Sequence, residues 1–195
     1  GSYVTQNMTG PVRLAGTLNP FSLRGDIKID VRDHITRTDG FRTRNHMIAL
    51  ALPRTLVTGP ITVTDTYFEG RNLSVKSGSS QLTVNLAFDF PGFSWNLSAV
   101  SKDLNLSDVG MILGMRVAGN GPLTCDIWGP ITNPRIRGSG TFAKAELENM
   151  AFDRASTEVN YHNMLLSFDN LQIVKKSSLV KTKSLSFDFK RPKGI

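Results

Sequence analysis

The stretch Gln81-Leu82-Thr83-Val84-Asn85-Leu86-Ala87-Phe88-Asp89-Phe90 decides the fold class. Every second residue (Leu82, Val84, Leu86, Phe88 and Phe90) is large and apolar, and the residues between are small or polar. Successive side chains of a strand point to opposite faces, so a period of two gives one greasy face and one wet face. A second copy stands near the end of the chain, where Leu185, Phe187 and Phe189 alternate with Ser186, Asp188 and Lys190. Shorter alternations occur at Ile27-Ile29-Val31, Ile61-Val63, Leu73-Val75, Trp95-Leu97, Leu123-Cys125-Ile127, Val159-Tyr161 and Leu171-Ile173. Gly, Pro, Asn, Asp and Ser separate them, as turns require. The pattern predicts an all-β chain of about a dozen short strands, mostly antiparallel because the connections are short.

Helix is scarce. Ser101 to Met115 offers the one candidate, a short helix or hydrophobic turn across the end of the sheet, with Ser107 or Asp108 as its cap. Gly110 and Gly114 limit its length. The Arg-rich stretch from Arg32 to Arg54 reads as a long loop or a strand pair with an extended excursion.

Length and composition restrict the rest. The 195 residues are 39% hydrophobic and 20% charged, the composition of a folded domain rather than a disordered chain. No apolar run is long enough for a spanning helix. Gly1-Ser2 reads as a tag remnant, so the natural protein is expected to extend beyond this segment. The single cysteine, Cys125, excludes an internal disulfide and any CxxC pair, and it reads as a small buried hydrophobe. The net charge of +7 attracts anionic partners at range. The basic residues are scattered and not interleaved with aromatic residues, so no nucleic-acid platform is expected.

Catalytic patterns are missing. The three histidines, His34, His46 and His162, are far apart in sequence, and the Asp33-His34 neighbours face opposite ways on a strand. There is no nucleophile elbow, no His-Glu-x-x-His and no acidic calcium loop. No cofactor or metal is expected, and the chain reads as a non-enzyme. Asp89 and Asp188 recur at matching positions beside phenylalanines, which suits a structural or surface role.

The chain also repeats itself. Gly16-Thr-Leu-Asn-Pro-Phe-Ser-Leu-Arg-Gly25 and Gly129-Pro-Ile-Thr-Asn-Pro-Arg-Ile-Arg-Gly138 share Asn-Pro, an apolar residue and Arg-Gly. The Phe-Asp-Phe triplets at 88–90 and 187–189 follow each of them. The expected organisation is a first β unit over 10–97, a connecting segment over 98–119 with the short helix or turn, and a second β unit over 120–193. Such units cover their apolar faces either by pairing as a sandwich or by curving and stacking in series. The second solution leaves an apolar concave surface open, which usually marks a site.

Residues 129–173 carry a resemblance. Gly129, Pro134, Gly138, Phe142, Leu147, Met150, Phe152-Asp153, Val159, Tyr161, Leu165, Leu166 and Phe168 follow the pattern of the TamB/AsmA-like family of bacterial envelope proteins, in particular of the TamB-like carboxy-terminal β repeats. The pattern extends more faintly over residues 10–97. The resemblance implies an elongated, curved or folded-over, mostly antiparallel sheet, a "β-taco", with an apolar groove; the alternative fold is a β-sandwich. It implies a segment of a periplasm-spanning bridge in a diderm bacterium, anchored in the inner membrane and working with an outer-membrane barrel of the assembly-factor class. The implied cargo is phospholipid, its acyl chains shielded in the groove during transfer between the two membranes in support of outer-membrane biogenesis. The alternative function is a β-sandwich binding or adhesion module. The expected groove lining is Leu82, Val84, Leu86, Phe88, Phe90, Val159, Tyr161, Leu165, Phe168, Leu171, Ile173, Leu185, Phe187 and Phe189.

Overall fold

A computed structural model describes residues 3–39, 46–109, 111–112 and 115–188. Its strands are β1 (Tyr3–Thr9), β2 (Val12–Leu18), β3 (Phe21–Asp39), β4 (His46–Leu52), β5 (Thr55–Thr64), β6 (Tyr67–Ser77), β7 (Ser80–Asp89), β8 (Ser94–Asn105), β9 (Met111–Ile112), β10 (Met115–Pro130), β11 (Arg135–Leu147), β12 (Met150–Ala151), β13 (Arg154–His162), β14 (Leu165–Lys175) and β15 (Ser178–Asp188). All belong to one sheet, in the order β15-β14-β13-β11-β10-β8-β7-β6-β5-β3-β4-β9, with β1 and β2 on β3 and β12 on β11. Every strand pairing among the described residues is antiparallel, because tight hairpins join most neighbours. The expected all-β, elongated and open sheet is the architecture observed.

The expected short helix is a single 3-10 turn, Leu106–Val109. The Arg-rich stretch is a strand pair: β3 runs on to Asp39 and β4 returns from His46, with 40–45 outside the described residues.

The sheet is one layer. Its accessible surface is 12954 Å², against roughly 9,000 Å² for a compact protein of this mass. Only a few apolar side chains are buried, and among the described residues none is fully so. A closed sandwich of two such layers would bury a core completely. The buried residues Ile27, Ile61, Leu73, Val84 and Ala99 instead form one patch on one face of β3, β5, β6, β7 and β8. Leu73 is the most covered of them, at 3% exposed alongside Leu104. Its side chain rests where Gly59 and Gly70 leave room; a β-carbon on Gly70 would stand 2.6 Å from Leu73 Cδ1.

Two features curve the layer. Register shifts interrupt the β5–β6, β6–β7, β8–β10, β10–β11 and β13–β14 ladders. A bulge places an extra residue on one strand and bends it, and Asn72, Lys144 and Asn170 take the left-handed backbone at three of these shifts. The second feature is a change in width. Over most of its length the sheet separates β3 from β10 by β5, β6, β7 and β8; at one rim only β4 and β9 lie between them. Those two-residue ladders pinch that rim without closing a barrel, and the 3-10 turn packs there against β4, β8 and β10.

The pinched rim is held by a polar cluster. One Asp108 carboxylate oxygen accepts hydrogen bonds from the Ser79 and Ser80 amides at 2.8 and 2.9 Å and from their hydroxyls at 2.9 and 2.8 Å. Burial works against its charge, but the Ser80 and Ser79 hydrogen bonds outweigh burial and hold the carboxyl below its ordinary range. Ser80, Thr55, Ser77 and Ser101 are all buried, and each of these four hydroxyls is hydrogen-bonded.

Candidate functional site

The apolar face is organised as rows that cross the strands. In the central row Ile61, Gly70, Leu86, Leu97, Ile127, Ile136, Tyr161, Leu166 and Phe187 stand opposite one another in turn, from β5 to β15. At about 4.8 Å per strand this row is about 38 Å long. A second row runs Leu73, Val84, Ala99, Cys125, Gly138, Val159, Phe168 and Leu185. A third runs Leu23, Val63, Phe68, Phe88, Trp95 and Gly129. Side by side the rows make a trough with no charged residue in its floor.

Cover varies along the trough. Ile61, Leu73, Val84 and Ala99 are buried by curvature and by their neighbours, whereas Leu185 and Phe187 are 43% and 45% exposed. The trough is therefore most open at its β15 end. Two shallow depressions of about 300 and 320 Å³ also mark the surface, but both have mixed polar linings and neither follows the rows.

The expected lining residues fall as follows. Leu82, Val84, Leu86 and Phe88 alternate onto the apolar face of β7, and Leu82 stands opposite Val75. Phe90 lies in the turn after β7, its ring centroid 5.7 Å from that of Phe88. Val159, Tyr161, Phe168, Leu185 and Phe187 stand in the rows, and the Phe168 and Phe187 rings meet edge to face at 6.2 Å. Leu171 and Ile173 face Thr182 and Val180 on β15, beyond the register shift against β13. Leu165 stands apart. It pairs with His162 and Asp188, one residue out of phase with the Tyr161–Leu166–Phe187 row, and so belongs to the opposite face. Phe189 lies outside the described residues.

Several row members were not in the sequence-derived lining. Leu97, Cys125 and Ile127 sit in short alternations that could have placed them. Ile136 stands between Arg135 and Arg137, a three-residue signal, and Leu166 is the second half of an apolar doublet whose phase only the hairpin sets. Burial, with a smaller effect from the Asp126 charge, raises the Cys125 thiol above its ordinary range, as for a cysteine on an apolar surface.

The other face is mostly polar, although Val100, Trp128 and Leu165 are exposed on it. Asp30 accepts from Arg32 at 2.9 Å and Arg54 at 2.8 Å, and these two hydrogen bonds lower its carboxyl from 3.8 to about 2. Asp169 accepts from Asn160 Nδ2 at 2.8 Å and Ser167 Oγ at 3.1 Å, and bonds from Ser184 and Asn160 hold it below the usual carboxylate range. Among the described residues no group of three or more His, Cys, Asp or Glu gathers as metal ligands would.

What this arrangement can do is shelter an extended apolar ligand on one face while water wets the other. Comparison of the chain with protein-family models, with curated proteins and with solved structures finds no match.

Proposed function

We propose that the chain is a segment of a lipid-conducting bridge of the TamB/AsmA-like kind, without catalytic activity. The single observation that carries this is the set of continuous apolar rows on one face of an open sheet. A methylene gains about 0.8 kcal/mol on full transfer out of water. A row that repeats aliphatic and aromatic side chains strand after strand offers that gain evenly, with no deep local well to trap a ligand. A head group stays in water at the open side.

In this reading the cargo is phospholipid, the compartment is the periplasm of a diderm bacterium, and lipid moves along the rows of this segment as one stage of its passage between the inner and outer membranes. An inner-membrane anchor and an outer-membrane barrel partner belong to parts of the protein beyond this segment. The elongated single layer favours this reading over an adhesion module, which would bury its apolar faces in a closed sandwich.

The test is site-specific photo-crosslinking in cells at Leu86, Phe88 and Phe187 on the apolar face and at Asn85 and Ser186 on the other. Phospholipid adducts are expected at the first three alone. Equal labelling at all five positions defeats the groove. Labelling confined to the apolar face, combined with undiminished lipid transfer between membranes in a Leu97→Glu variant, defeats transport while leaving lipid binding intact.

A further inference from the structure

The two rims of the sheet differ in chemistry. One rim carries the turns Asn19-Pro20, Asp65-Thr66, Phe90 to Phe93, Ile131 to Asn133 and Asn163-Met164; the ladder ends Leu18–Phe21, Val63–Phe68, Asp89–Ser94, Trp128–Arg135 and His162–Leu165 place them together. Four of these turns present a large apolar side chain to solvent: Leu18 (82% exposed), Phe93 (66%), Ile131 (45%) and Met164 (45%). Just behind these tips stand Tyr67, Trp95, Trp128 and Tyr161, which are both tryptophans and two of the three tyrosines of the chain. No described lysine lies within three residues of these turns, and Arg135 is the one described arginine that does. The opposite rim has the turns Gly78-Ser79, Glu148-Asn149 and Lys176-Ser177, with Lys76 and Lys175 beside them. Met150 and Leu179 are exposed there, but in charged company.

We infer that the aromatic rim docks on the interfacial zone of a neutral lipid bilayer, where the trough takes up its lipid. Tryptophan and tyrosine prefer the depth of the head groups, because one part of the ring system is apolar and one is wet. Aliphatic and phenyl tips ahead of them would reach the acyl boundary. Neighbouring tips at Phe93 and Ile131 are tied by the Ile131 amide donating to the Phe93 carbonyl at 2.9 Å, so they present a fixed edge. Single tips separated by polar turn residues suit a fluid surface; a protein partner would need a contiguous packed core. The edge also leads into the trough: the Phe93 ring lies 6.2 Å from Phe88, and Phe88 lies 4.9 Å from Trp95, both in the third row. This deepens the groove reading by naming the source of the lipid, and the two fail separately, because vesicle binding is read without any crosslink in the groove.

The test is flotation of the 195-residue chain with phosphatidylcholine vesicles at low and high salt, with tryptophan emission read in parallel. Binding is expected to be insensitive to salt, with emission shifted to the blue. The triple variant Leu18→Asn/Phe93→Asn/Ile131→Asn should bind at least tenfold more weakly. Phe93→Asn alone is a safeguard for folding, since Phe93 has a left-handed backbone (φ 44) that asparagine tolerates well. It should lose severalfold. Met150→Asn/Leu179→Asn, on the other rim, should bind as the parent does. The inference is overturned if the parent does not float with neutral vesicles, if the tip variants float equally well, or if binding requires anionic lipid and disappears in salt. It is overturned equally if the tips drive self-association in sedimentation and the chain leaves the vesicles unbound.

Discussion

Leu165 and Leu185 make a matched pair for testing which face of the sheet holds an apolar ligand. They are the same residue type on adjacent strands, 44% and 43% exposed, but Leu185 stands opposite Phe168 in a trough row while Leu165 pairs with His162 and Asp188 on the other face. Replacing either with Asn should cost similar and small stability, because both are already half in water. Their effects on ligand binding should differ. A lipid leaflet is about 15 Å of hydrocarbon, so one tail laid along a row crosses three or four strands. A tail of about a dozen methylenes then puts roughly three on each strand, and an open trough covers about half of each, so at about 0.8 kcal/mol per fully buried methylene one strand contributes about 1.2 kcal/mol. Losing that contact weakens binding roughly sevenfold, and more if the amide is left without a partner. Displacement of a fluorescent long-chain fatty acid, with thermal unfolding measured alongside, reads both quantities. The expected result is about sevenfold or greater weakening for Leu185→Asn, less than about twofold for Leu165→Asn, and matched unfolding temperatures. Equal weakening by the two variants, or the reverse order, refutes the assignment of the faces.

Leu73→Ala removes the most covered apolar side chain from above Gly59 and Gly70 and should cost about 2–5 kcal/mol, a fall in Tm of roughly 5–15 °C by differential scanning calorimetry. Asp108→Ala strips the Gly78–Ser80 turn of the acceptor for its amides and hydroxyls; a loss of about 1–3 kcal/mol in urea unfolding is expected, with Asp108→Asn recovering part of it. A loss below the error of the fit would show that the pinched rim does not depend on that carboxylate. Asp30 gives a pH dependence of known sign. Its folded pKa of about 2 lies below the ordinary 3.8, so the folded state binds the proton less readily. The stabilisation is complete above the ordinary value and disappears as pH falls through about 2. The Tm difference between the parent and Asp30→Asn, small because the cluster is at the surface, should therefore be constant near neutrality and shrink on acidification. A difference that grows in acid contradicts the Arg32–Asp30–Arg54 cluster.

Period two was visible in residues 81–90, and it placed Leu82, Val84, Leu86 and Phe88 on one face because the pleat leaves no other choice for an uninterrupted strand. The same logic worked for Val159, Tyr161, Phe168, Leu185 and Phe187. It misplaced Leu165, because in Leu165-Leu166 either leucine could begin the alternation and the expected lining took the first. The Asn163-Met164 turn pairs His162 with Leu165, and that pairing sends Leu166 into the row. Bulges are equally hard to read, since one extra residue reverses every later side chain. Asn170 takes a left-handed backbone at such a point, and the apolar residues before it (Leu166, Phe168) and after it (Leu171, Ile173) are three apart across the break instead of two.

The sequence by itself determined that this chain is a sheet with one apolar face, because alternation is a local property of the backbone. It could not determine whether that face is closed against a second layer or left open, since both solutions demand the same alternation. Tertiary structure decided this by joining the fifteen described strands edge to edge in one open sheet. Hydrogen-bond register then lined up Leu86, Leu97, Ile127, Ile136, Tyr161, Leu166 and Phe187 as a continuous row. Their alignment rests on contacts between residues far apart in the chain, and no local pattern specifies those.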